Sequence, residues 1–350
     1  MSASGTAQRG QKELALGEGY FVQYYAPQFG TYDVRHERLH PEDKAEKPHY
    51  ALTETQYFGF YVPEKKLHSF NWVWYHPNLN SVLAGSMTWY GVQPITLGCE
   101  LFDYRNHMSG DVFGGKWPDA AFDSGLKIQM LEPGKTFELQ YDDPERGNHF
   151  KVLQKGVSEP VMWPSSKHFE QVMHCTGEVT LRGDTHKVDC YAMRDRSWGE
   201  YRLENSMHIP PNSWVTACFG PDFSFHVTGM DDPERDPVWK GEFKVDPESL
   251  LRFGWMIVDG EQVPIASAKI KTDYDFSILH PTGISIHITD VKGRTYLAEG
   301  KVLASTPFYA WLNLRALICM VEWTCNGRKG YGEIQTLHFT DFVRKMAGRK

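Results

Sequence analysis

HFEQVMHCTGEVTLRGDTHKVDCYAMRDRSWGEYR, residues 168–202, reads as one long β-hairpin. Its arms are rich in β-branched and aromatic residues, and RGDT between them is a turn composition. With Gly183-Asp184 at the tip, Asp195 falls opposite Val172 and Arg196 opposite Gln171. Side chains alternate along a strand, so Asp195 shares a face with its diagonal neighbours Glu170 and His174. Arg194 and Arg196 point the other way, with Met173, Cys175, Val179, Val188 and Ala192.

The same pattern recurs along the chain. SFNWVWYH and SVLAGSMTWYGV flank the turn PNLN, and LKIQML and TFELQYDD flank EPGK. Asp259-Gly260 suits a tight hairpin, GISIHITD alternates as a half-buried strand, and Asn326-Gly327 precedes a glycine-rich return strand. YAWLNLRALICM, residues 309–320, is the one stretch with a helical pattern, and residues 1 to about 14 read as disordered. Many short strands at close spacing give an all-β chain of barrels or sandwiches, and 350 residues make room for two. The break is expected at the Pro- and Ser-rich EPVMWPSSKHFE, dividing the chain into 15–163 and 164–344.

Composition narrows the function classes. Lys and Arg total 37 against 44 Asp and Glu, a net charge of −7, which disfavours nucleic acid as a partner. Six cysteines form no CxxC pair and read as buried thiols of a cytoplasmic protein. The polar N-terminus lacks the apolar core of a secretory signal, and no run of apolar residues is long enough for a transmembrane helix.

HERLH, residues 36–40, matches the zinc-peptidase pattern, but that motif needs a helix and Pro41 pushes His40 out of helical geometry. No P-loop, dinucleotide fingerprint or nucleophile elbow is present, so no metal or cofactor is expected. KGYGE, residues 329–333, reads as a bend in a curved barrel strand.

Two readings of 191–202 stand side by side. Asp195 on an interior face near Glu170 and His174 would have its pKa raised and could protonate an apolar substrate, with Trp198 stabilising positive charge. An Asp between two Arg is equally an ion-paired strut with a depressed pKa. His168 and His226 lie on aromatic strands, where a core histidine is the common outcome.

HFEQ, GEVTL and YAMRDRSWGEYR together resemble the two-domain, lipocalin-like superfamily of the carotenoid hydratases (hydroxyneurosporene synthases) and AttH-like proteins. There an aspartate of a D-H-x-W/F-like motif occupies the strand end. Here Asp195 takes the acid's place, Arg196 stands for the histidine and Trp198 matches the aromatic residue. The resemblance implies two packed calycin-type antiparallel β-barrels with an apolar cavity, and a cofactor-independent hydratase, lyase, isomerase or cyclase. Its substrate would be a hydrophobic small molecule: an isoprenoid, steroid or polyketide. Asp195 is then the expected acid, assisted by Glu170, His174 and His168, with Trp198, Arg196, Arg202 and His226 contacting substrate. A homodimer is the expected assembly. A non-catalytic carrier of the same ligands is the alternative.

Overall fold

The computed structural model describes residues 25–202, 208–235, 240–243 and 245–347; the stretch expected to be disordered lies outside them. The chain is all-β. Eleven strands come first: β1 (Leu52–Val62), β2 (Leu67–His76), β3 (Ser81–Tyr90), β4 (Leu101–Ser109), β5 (Ala120–Ala121), β6 (Leu126–Glu132), β7 (Thr136–Asp143), β8 (Asn148–Gly156), β9 (Val161–Met162), β10 (His168–Leu181) and β11 (Asp184–Tyr201). They form one curled sheet in the order β4-β3-β2-β1-β11-β10-β8-β7-β6-β5, with β9 paired to β10. Eight more follow: β12 (Asn212–Cys218), β13 (Phe223–Met230), β14 (Leu251–Val258), β15 (Glu261–Asp275), β16 (His280–Asp290), β17 (Thr295–Phe308), β18 (Leu314–Cys325) and β19 (Arg328–Phe339). These close into an antiparallel barrel in sequence order.

Two expectations change in detail. The first unit is a curled sheet with free ends at β4 and β5 rather than a second closed barrel. The 168–201 hairpin belongs to that sheet, because β11 pairs with β1. The change of sheet therefore falls between Tyr201 and Asn212, not at 163/164. The Pro- and Ser-rich stretch is a tight loop, held by Trp163 N–H donating to His168 O at 2.8 Å, that leads from β9 into β10.

The stretch 309–320 is not helical: it is an irregular connection running into β18. Its sequence loses the period-2 signal because both faces of β18 are buried. Leu317, Cys319 and Val321 fill the barrel, while Ala316, Ile318 and Met320 join the core around the sheet. A strand buried on both faces is a continuous apolar run, which periodicity cannot tell from a helix.

Each unit is filled by its own side chains. Inside the barrel, Val215, Ala217, Phe225, Val227, Ile286 and Ile334 pack together. Inside the curl of the sheet, Phe58, Phe60, Phe137, Phe150, Met173 and Val188 do the same. Their outward neighbours along the strands meet at the seam between sheet and barrel, and polar groups accumulate there. All six cysteines are buried free thiols. Among the described residues no helix is long and apolar enough to cross a membrane, and no group of three or more His, Cys, Asp or Glu could hold a metal.

Candidate active site

The geometry of the site follows from one turn. The β10–β11 tip is Arg182-Gly183, with φ of 51° and 90°, and Leu181 faces Asp184. This is one position earlier than expected, so the arms slide by two residues. A slide of two preserves every face and changes every partner. Asp195 stays on Glu170's face but now lies directly opposite it, and His168 moves in beside Ser197. His174 moves out: it faces Tyr191, and its Nε2 meets the Asp189 carboxylate at 2.9 Å on the surface. It takes no part in the site.

The two arginines are struts, on the opposite face from Asp195. Arg194 and Glu37 are both fully buried and form a two-pronged pair at 2.6 and 3.1 Å, with Arg194 stacked over Phe137. Arg196 bonds the Glu54 carboxylate and the carbonyls of Thr55, Ser197 and Arg38. It does not line the cavity that holds Asp195. Trp198 shares this face: the His40 ring stacks on it at 4.4 Å and 3°, and His36 at 5.0 Å. So HERLH, which begins in a 3-10 turn (Val34–Glu37) and runs past it to His40, is a clamp that fixes the N-terminal segment to the sheet through Glu37, His36 and His40. Trp198 and Arg196 are therefore structural rather than substrate-facing.

On the other face a cavity of about 100 Å³ opens at the seam. Phe70 and Trp72 from the sheet, and Trp214, Phe308, Trp311 and Ile318 from the barrel side, supply its apolar wall. Asp195, His168, Arg202 and Arg252 supply charge. A single row of directly paired residues crosses four strands here: Trp72 on β2, Tyr57 on β1, Asp195 on β11 and Glu170 on β10. The next row holds Thr55, Ser197 and His168, with the two hydroxyls 2.6 Å apart. Arg202 donates to Ser197 Oγ at 3.1 Å.

The Asp195 carboxylate accepts no hydrogen bond among the described residues, although its backbone carbonyl receives Gln56. Burial raises its pKa to about 6; His168 opposes the rise, and the Glu170 charge adds to it. The arginines that would have depressed it are spent on Glu37 and Glu54.

Glu170 behaves in the opposite way. It is fully buried, and burial alone would raise its pKa, but His226, His168 and the donors around it hold it down at about 2. Three indoles donate to it: Trp163 and Trp255 at 2.9 and 3.0 Å, and Trp214 at 3.4 Å. His168 Nε2 lies 2.7 Å and His226 Nε2 3.2 Å from Oε1. This carboxylate is an ionised anchor that ties sheet to barrel and orients His168. Burial would lower the His168 pKa, but Glu170 outweighs it and the net shift is upward. Burial wins at His226, which falls to about 4 despite Glu170 and so is neutral at neutral pH.

Sequence reading missed Tyr57, Glu333, Trp163, Trp214 and Arg252. None has a local motif, and each comes from a different strand or loop. Glu333 ends the KGYGE stretch. There Gly330 and Gly332 let β19 run against β12, since a Cβ on Gly332 would lie 2.0 Å from Thr216 O.

Several solved chains share this architecture, two of them as follows. Kievitone hydratase from Nectria haematococca superposes with a TM-score of 0.51 at 10% identity, covering 92% of this chain and 99% of that one. CghA superposes with the same TM-score and identity over 83% and 89%. At that identity the likeness is one of fold. Neither structure bears on the narrower resemblance to carotenoid hydratases and AttH-like proteins, which is most specific at residues 168–202, and no curated protein sequence matches the chain. Residues 33–340 match a family described as a domain of unknown function, DUF7064, and the chain belongs to that family.

Proposed function

We propose that the protein is a cofactor-independent enzyme that adds water to, removes it from, isomerises or cyclises a bulky apolar small molecule, with Asp195 as its acid. One observation carries the reading: a carboxyl group with no side-chain donor among the described residues, and a pKa near 6, lines an aromatic cavity. An acid whose pKa lies near the working pH both holds and releases its proton readily. At pH 7 about a tenth of the molecules carry that proton. Transferred to a double bond, it leaves a cation that the faces of Trp72, Trp214 and Phe70 stabilise. His168, held by Glu170, sets the charge beside the reacting centre. Arg202 and Arg252 suit a polar end of the substrate. Kievitone hydratase, whose fold this chain shares, is by name a hydratase, which favours water addition within this class.

The test is native mass spectrometry of the protein incubated with lipid extract from its host, wild type against Asp195→Asn, followed by chromatography of the released ligand. The wild type should return a ligand that has gained or lost one water, or an isomer with shifted retention. The variant should hold the same ligand unchanged. If both hold one unaltered ligand equally, the protein is a carrier and the enzymatic reading fails.

A further inference from the structure

The row that carries Asp195 continues to Tyr57, its direct partner on β1. Tyr57 lines the cavity, yet its hydroxyl is turned toward the barrel, where Oη donates to Glu333 Oε2. Glu333, on β19, is fully buried. Among the described residues no arginine or lysine pairs with it. His68 Nε2 lies 2.6 Å from Oε2, and Gln335 Nε2 donates to Oε1 at 2.6 Å. Gln335 also lines the cavity. The phenol's position is built into the strand, because a Cβ on Gly59 would lie 2.2 Å from Tyr57 Oη. A buried carboxyl group is costly to keep, and here it reaches the cavity wall through the Tyr57 phenol and the Gln335 amide, of which only the phenol can relay a proton.

We propose that Tyr57 and Glu333 form the second proton-transfer unit of the cavity, the base that complements Asp195: Tyr57 Oη takes a proton from the substrate or its attacking water while its own proton passes to Glu333 Oε2. The inference rests on the reaction proposed above. In hydration, the Asp195 proton forms the new C–H bond and the water oxygen forms the new C–O bond. The proton that water loses ends on Glu333. Asp195 is then charged and Glu333 neutral, and return of that proton through water in the emptied cavity resets the pair. In isomerisation the substrate gains one proton from Asp195 and loses another through Tyr57. Glu170 cannot serve in this role, because three indoles and two imidazoles already surround it.

The experiment uses the full chain and the ligand that the wild type converts from host extract. Tyr57→Phe and Glu333→Gln should each lower turnover at least 100-fold, the scale of a lost acid–base group. Retention of the ligand by native mass spectrometry should stay within about threefold. The pH profile decides between chemistry and structure. Wild-type turnover should fall at high pH, where Asp195 has lost its proton. Glu333→Gln should lose turnover at every pH yet keep that alkaline fall unmoved, whereas a variant that merely disturbs the surroundings of Asp195 would shift it. Should that variant not fold, Tyr57→Phe carries the same decision, since His68 and Gln335 still bind the carboxylate. An active wild type, an inert Asp195→Asn and an unimpaired Tyr57→Phe overturn this inference alone. A wild type that converts no ligand overturns the reaction and this inference together.

Discussion

Replacing the acid should make the protein more stable. In the fold the Asp195 pKa is about 6, against 3.8 for an ordinary aspartate. The unfolded chain therefore gives up this proton more easily than the folded one. Between pH 3.8 and 6 the native state binds the extra proton, so stability falls as pH rises through that window and is flat above it. The difference, about two pKa units, corresponds to about 3 kcal/mol at pH 8. At pH 5 the same linkage gives roughly half of that, and at pH 4 it has nearly vanished. Asparagine keeps the shape and carries no charge. With an unfolding entropy of about 2.1 cal/mol/K per residue, a 350-residue chain gains about 4 °C in Tm at pH 8. Thermal unfolding of wild type and Asp195→Asn at pH 4, 5 and 8, followed by circular dichroism, measures it. A variant less stable than wild type at pH 8, or a gain that does not change with pH, would refute the argument that the carboxyl is held against its solvation preference.

Glu37→Ala leaves Arg194 buried and charged without its partner. It should cost about 3–5 kcal/mol, read as a lower denaturant midpoint, with ligand retention intact in the protein that stays folded. Trp198→Ala removes a ring stacked on His40 behind the sheet, so ligand affinity should change by less than about threefold, whereas Trp72→Ala on the cavity wall should weaken it at least tenfold. Titration of a captured fluorescent apolar probe compares the two, and equal losses would mean that the cavity has been assigned to the wrong face.

What was legible in the sequence was what alternation decides. The all-β class, the long hairpin, and the placing of Asp195 and Glu170 on one face with Arg194 and Arg196 on the other all follow from a period of two. The tip was not legible, because Arg182 adopts a left-handed φ that glycine or asparagine would ordinarily announce. That single uncertainty exchanged His174 for His168. Trp198 was misplaced for a different reason. It lies three residues from Asp195, an odd step, so strict alternation already put it on the far face; the resemblance had placed it beside the acid. The seam was beyond local pattern altogether. Tyr57 and Glu333 are 276 residues apart, and only the packing of barrel on sheet brings them together.

The Glu170 anchor has an optical consequence. Three of the chain's eleven tryptophans end on one carboxylate, Trp163 from the loop ahead of β10 and Trp214 and Trp255 from the barrel. Ultraviolet emission from these indoles is thus an unlabelled gauge of whether the two units are joined. Parting the units exposes all three at once, while filling the cavity with the seam closed perturbs the four tryptophans that line it, Trp72, Trp163, Trp214 and Trp311, and leaves Trp255 silent. Assembly and occupancy can be followed separately in one cuvette.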